Sequence, residues 1–215
     1  MQVSAYTPLL KAKITLPPTR PQLVVRPRLM ERLQEGLARP FTLISAPAGF
    51  GKTTLISGWL NTAADRPRAA WLALDEDDNN PAHFLYYLVA ALQTVEPGVG
   101  RAPISLLSNL RIPTPRELMT LLLNELADPP DPLLLVLDDY HVINNPDIDS
   151  ALAFLVDHAS ERLHLLAATR EQPRLPLARW RSLERLSEIG LDDLRFNSGC
   201  IPRSSKKRWT ARRTR

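Results

Sequence analysis

Between Phe41 and Leu55 the chain reads FTLISAPAGFGKTTL, and no other stretch restricts its fold so tightly. A short apolar segment, Phe41 to Ile44, runs into a loop of small residues, and the loop runs into a stretch of helical character. Gly49 and Gly51 let the backbone turn tightly and bring its amides close to an anion. Lys52 then supplies a cation for phosphate oxygens, and the Thr53 hydroxyl suits a hard metal ion such as Mg²⁺. A helix opening at Lys52 aims its free N-terminal amides and positive dipole end at the same point. This strand–loop–helix order predicts a phosphate-binding loop made of Ala46, Pro47, Ala48, Gly49, Phe50, Gly51, Lys52, Thr53 and Thr54. One position departs from the motif G-x-x-x-x-G-K-[ST]: Ala46 stands where the first glycine is expected.

A second segment supports the first. Leu133 to Leu137 is a continuous apolar run that ends in Asp138 and Asp139. A parallel strand buried on both faces reads this way. A carboxylate at its C-terminal end, Asp138, is placed to hold the Mg²⁺ of a bound nucleotide, directly or through water.

The remaining pattern alternates strands with helices. Strands are expected at Phe41–Ser45, Ala69–Leu74, Leu133–Leu137, Leu163–Ala168 and, more weakly, Arg185–Ile189. Helices are expected from Pro27 to Leu37, Lys52 to Asn61, Pro81 to Thr94, Pro115 to Ala127, Pro146 to His158 and Leu177 to Arg181. Thr114-Pro115-Arg116-Glu117 is a capping box with proline at the first helical position. The predicted fold is α/β: a three-layer sandwich around a parallel sheet of about five strands. Ligands in such sheets bind at the carboxyl ends of strands, where the phosphate loop, Asp75, Asp138, Asp139 and Arg170 all fall. Pro17, Pro18 and Pro21 make the lead, residues 1–24, extended and irregular. The acidic stretch Asp75 to Asp78 reads as a solvated turn.

Composition narrows the classes. With 215 residues there is room for one sizeable domain. Cys200 is the only cysteine, so no intrachain disulfide is possible, which fits a reducing cytoplasm. Met1 to Leu10 lacks the pattern of a signal peptide, and no apolar run approaches membrane-spanning length, so no membrane partner is expected. His83, His141, His158 and His164 show no metal-ligand spacing and read as surface or packing residues. The formal charge of +4 is misleading. Asn197 to Arg215 holds seven Lys/Arg and no acids, which leaves 20 basic against 23 acidic residues elsewhere, a net −3. The body is therefore not a basic nucleic-acid-binding domain.

Taken in order, LLKAKITLPPTRPQLVVRPRLMERL, SAPAGFGKTTLISGWL, AWLALDEDDNNPAHFLYYLVAAL, LLLVLDDYHVI and LHLLAATREQPRLPLARWR resemble the N-terminal ATPase module of MalT-type regulators. These are LuxR-class transcriptional activators among the signal-transduction ATPases with numerous domains. The resemblance covers about Leu9 to Phe196. It implies an ATP-binding switch that hydrolyses ATP slowly, with ATP, ADP and Mg²⁺ as ligands. A small residue at Ala46 is common in that family. Val25 and Arg26 resemble the stretch that lines the adenine pocket, and Arg170 resembles the sensor that reads the γ-phosphate. Asp139 takes the place of the carboxylate that orients the attacking water. Many related ATPases use Glu there, and the shorter Asp fits slow turnover. Relatives self-associate with ATP and inducer, and bind DNA through a C-terminal domain that lies beyond the matching segment.

After Phe196 the resemblance stops, and NSGCIPRSSKKRWTARRTR reads as a disordered, out-of-frame or truncated tail. Two other functions stay open on the sequence: a stand-alone P-loop ATPase or kinase, and a nucleic-acid-binding protein acting through the Lys/Arg run around Trp209.

Overall fold

The computed structural model describes residues 8–19, 26–62, 67–101, 114–126 and 132–195. Five strands form one sheet: β1 (Phe41–Ser45), β2 (Arg68–Ala73), β3 (Leu133–Asp138), β4 (Leu163–Thr169) and β5 (Leu186–Ile189). Their order across the sheet is β2-β3-β4-β1-β5, and every neighbouring pair is parallel. The helices are α1 (Pro27–Gly36), α2 (Lys52–Thr62), α3 (Pro81–Gln93), α4 (Pro115–Glu125), α5 (Pro146–His158), α6 (Leu177–Ser182) and α7 (Leu191–Leu194).

The apolar runs explain the layers. β3 and β4 are buried along their whole length, so residues of both parities are mostly apolar, with Asp138, His164 and Thr169 the buried polar exceptions. Leu133, Leu135 and Leu137 face one core with Phe84, Leu88, Met119 and Leu152 from α3, α4 and α5. Leu134 and Val136 face the other with Leu33, Ile56 and Trp59 from α1 and α2. A period of two thus divides each strand between two helical layers. Three helices start by the same device. Asn80, Thr114 and Asn145 cap α3, α4 and α5 through their side chains, each followed by proline at the first helical position. The Thr114–Glu117 capping box is present in full.

The expected elements are all present, with ends displaced by one or two residues, as fraying termini allow. Three short 3-10 helices and α7 have too little periodicity to announce themselves. The lead is not extended throughout, because Lys11–Ile14 forms a 3-10 turn. It wraps an edge of the sheet: Leu9 and Ile14 pack on the α3 side, and Leu16 on the α2 side. This covers β2, which would otherwise be an open edge strand. Val25 and the tail 197–215 lie outside the described residues.

The acidic stretch is not a solvated turn. Glu76–Asn79 is a 3-10 helix, and the Asp78 side chain is fully buried. Asp78 accepts hydrogen bonds from Lys13 Nζ at 2.7 Å and from the Asp75 amide at 2.8 Å, and His83 Nδ1 lies 3.0 Å away. Lys13 Nζ also pairs with Asp75 at 2.9 Å and sits 4.4 Å above the Tyr87 ring. Burial alone would lower the Lys13 ammonium, but hydrogen bonds and charge from Asp78 and Asp75 raise it above its ordinary value. Burial would likewise raise the Asp75 carboxyl, and Lys13 reverses that shift. A charge buried this deeply is tolerated only while its partners stay in place. Lys13→Ala should therefore cost about 3 kcal/mol of unfolding free energy in urea. A loss below about 0.5 kcal/mol would mean that the cluster is no structural clasp.

Candidate nucleotide-binding site

β4 lies between β1 and β3, so the carboxyl ends of all three meet on one rim of the sheet. Ser45 stands level with Thr169, and the Ala46 amide donates to the Thr169 carbonyl at 3.2 Å. The loop that follows β1 thereby starts against the end of β4. Gly49 and Gly51 have φ of 86° and 76°, in the left-handed region that side chains disfavour. Open space surrounds the positions where a Cβ would stand at either glycine. The backbone is curled as an anion cradle requires, and neither glycine position is crowded.

Lys52 opens α2 and is buried, and its Nζ donates to the carbonyls of Ala46 at 2.7 Å and Pro47 at 3.1 Å. Its ammonium thus lies folded into the loop. Burial lowers it below the ordinary lysine range; Arg170 adds to this, while Asp139 and Asp138 oppose it. The Thr53 hydroxyl donates to Asp138 at 2.8 Å and 3.1 Å, across 85 positions of sequence. Thr54 occupies the next position in α2, and Phe50 packs against the core on the α1–α2 side.

Asp138 is buried at the end of β3. Burial raises its carboxyl above the ordinary range, and neighbouring Asp139 adds to the rise. Thr53, the Asp139 amide and Lys52 pull the other way without prevailing. A buried carboxylate whose charge is under-compensated suits a cation. Among the described residues no group of three or more His, Cys, Asp or Glu could hold a metal by itself. One hydroxyl and one carboxylate are the incomplete, all-oxygen set through which Mg²⁺ is bound alongside nucleotide phosphates. The residues present fit that ion, and Thr53 and Asp138 would hold it.

Asp139 has φ 57° and ψ 38°, a left-handed conformation that turns the chain sharply out of β3. Its carboxylate is half exposed just past the end of β3, 3.6 Å from His141 Nδ1. Arg170 follows the last residue of β4, exposed, and its charge reaches both Lys52 and His141. Arg26 caps α1 and donates to the Leu194 carbonyl at 2.8 Å, so it borders α7 on the α2 side of the sheet.

His141 is a mostly buried packing residue with charged neighbours. The other histidines are packing or surface residues, among them His164, buried between Arg39 and Thr42. His141 lies on the rim with Asp139, Lys52, Arg170 and Glu171. It stands two residues after Asp139, in the 3-10 turn that follows β3.

The strained loop makes a prediction that needs no ligand. Gly51→Ala should lose about 1 kcal/mol in urea unfolding, because a side chain disfavours that φ. Gly98, with open space and no positive φ, should tolerate alanine within about 0.5 kcal/mol. Equal losses at the two sites would contradict the loop conformation.

A family model for the AAA ATPase domain matches residues 22–177. The HTH-type transcriptional regulator MalT of Cronobacter sakazakii is 39% identical over 188 residues, covering 87% of this chain and 20% of that protein. The same regulator from Yersinia pestis is 38% identical over 189 residues, covering 88% and 21%. The chain spans about a fifth of the length of these relatives. Cdc6p from Pyrobaculum aerophilum is similar in structure, with a TM-score of 0.52 and 17% identity over 79% of this chain and 47% of that one. That likeness concerns the α/β P-loop ATPase fold alone. Among the described residues no helix is long and apolar enough to cross a membrane. The chain belongs to the AAA ATPase domain family, as a nucleotide-binding module of the MalT type.

Proposed function

We propose that this module binds Mg²⁺–ATP, hydrolyses it slowly, and serves as the nucleotide switch of a MalT-type transcriptional activator. The observation that supports this reading most is the direct Thr53–Asp138 hydrogen bond beside the positive-φ glycine loop that opens α2. Lys52 and the loop amides would hold the phosphates, and Val25 and Arg26 would border the base. Mg²⁺, when bound, neutralises charge that gathers on the β- and γ-phosphates. Asp139 would orient the attacking water. The water oxygen bonds to the γ-phosphorus as the bond to the bridging oxygen breaks, giving ADP and phosphate. Catalysis of this kind is largely positioning and electrostatics, so a half-exposed carboxylate at Asp139 suits a slow reaction.

Arg170 would convert the nucleotide's identity into a conformational preference. A charge-assisted contact made with ATP and lost with ADP gives differential affinity, and only differential affinity shifts a two-state equilibrium. In a whole regulator, the ATP state would favour self-association, and other domains would meet DNA.

The roles separate under mutation. Asp138→Asn should lose about tenfold in Mg²⁺-dependent ATP affinity, whereas Asp139→Asn should bind within about twofold of wild type and hydrolyse more slowly. Calorimetry combined with single-turnover hydrolysis reads both, and equal affinity losses would dissolve the division. Arg170→Ala should weaken ATP about tenfold more than ADP. An unchanged ATP/ADP ratio would remove the sensor role.

A further inference from the structure

Thr169 ends β4, is fully buried, and carries two tethers. Its carbonyl accepts the Ala46 amide at 3.2 Å, which joins it to the start of the phosphate loop. Its hydroxyl donates to the Glu171 carbonyl at 2.7 Å. This second bond closes a small ring of chain from residue 169 to residue 171, and Arg170 is the residue enclosed. The register with β1 runs on to Ser45 opposite Thr169, whereas the register with β3 ends two residues earlier, at Ala167. The end of β4 therefore takes its position from the phosphate-loop side.

The strand itself has little need of the hydroxyl bond. Arg170, Glu171 and Gln172 are all exposed, so water can serve the Glu171 carbonyl nearly as well. Threonine side chains that bond to nearby backbone shape turns. What this bond restricts is the backbone on either side of Arg170, and with it the direction in which the arginine leaves the strand end. The charge of Arg170 reaches Lys52 and His141 and works to lower both. Arg170 and Lys52 thus bring two like charges to one rim, and an anion bound beside both would offset their repulsion. An arginine has several rotatable bonds, so an aimed root leaves less freedom to be lost when the guanidinium is ordered.

We propose that Thr169 is a positioning residue whose hydroxyl, bonded to the Glu171 carbonyl, fixes the backbone of Arg170 so that the guanidinium is aimed at the γ-phosphate, and that it thereby sets the preference for ATP over ADP. This rests on the reading of Arg170 as the γ-phosphate sensor. Preorganisation strengthens a contact by reducing the freedom lost when it forms. ADP has no γ-phosphate, so the same restraint does nothing for it. The effect of the hydroxyl therefore falls on the ratio of ATP to ADP affinity, and not on nucleotide binding in general.

The test compares wild type, Thr169→Val, Thr169→Ser, Arg170→Ala and the double variant Thr169→Val with Arg170→Ala, all in the full chain. Affinities for ATP and for ADP, each with Mg²⁺, and the melting temperature are measured for each. Valine keeps the branched shape and loses the donor; serine keeps the donor and loses the methyl group. Thr169→Ala takes the place of the valine variant should that chain not fold. Thr169→Val should weaken ATP about fivefold and ADP by no more than about twofold. Thr169→Ser should keep the ATP/ADP ratio within about twofold of wild type. In the double variant the ratio should fall no further than in Arg170→Ala alone, because the hydroxyl acts only through that arginine. A serine variant as impaired as the valine one, an equal loss for ATP and ADP in Thr169→Val, or additive losses in the double variant would overturn the proposal. If Arg170→Ala lowers the ratio while Thr169→Val does not, only the Thr169 role fails. If Arg170→Ala leaves the ratio unchanged, the sensor reading fails, and the Thr169 role with it.

Discussion

Asp138 is a carboxylate buried at the end of a strand that is enclosed on both faces, and a hydroxyl from a helix 85 positions away holds it. That contact requires β1 and β3 to end on the same rim, one strand apart. The parallel order β2-β3-β4-β1-β5 supplies this, since β4 fills the gap and sets its own end beside the phosphate loop. Every group of the candidate site reaches the rim through this arrangement. Lys52 and Thr53 come from the helix after β1, Asp138 and Asp139 from β3, and Arg170 from β4. A purely apolar pair in place of Thr53 and Asp138 would relieve a buried charge. A cation bound there would offset the same cost.

Farther from the rim, two polar clusters do related work. The Lys13–Asp78 pair fastens the lead across the β2 edge. One residue on, Asn79 bonds to the turn after β3 through its side chain and its carbonyl. The two clusters lie in the same short 3-10 helix, so the acidic segment joins the outer edge of the sheet to the rim that carries the candidate site. Fully satisfied polar networks of this kind specify one arrangement rather than adding much stability.

The phosphate loop and the strand before Asp138 were legible because their chemistry and periodicity are local. Glycine at positive φ, a lysine and a threonine in sequence, and five apolar residues ending in acids need no tertiary context. The order of the strands was not legible, since alternating β and α segments permit several parallel orders. The acidic stretch misled for a related reason. Its partner, Lys13, lies 65 positions upstream, and four polar residues without that partner look like any solvated turn. The surroundings of His141 were not legible either, because Arg170 comes from the end of β4 and Lys52 from the start of α2, and no spacing rule connects them.

The central claim is that the loop between β1 and α2 binds the phosphates of a nucleotide through Lys52. Calorimetric titration of ATP into wild type and Lys52→Ala, each with and without Mg²⁺, tests it most directly. Wild type should bind ATP more tightly with Mg²⁺ than without, and Lys52→Ala should lose at least about tenfold in affinity while keeping the wild-type melting temperature. Equal ATP affinity in the two proteins, or no binding by wild type in the presence of Mg²⁺, would contradict the account.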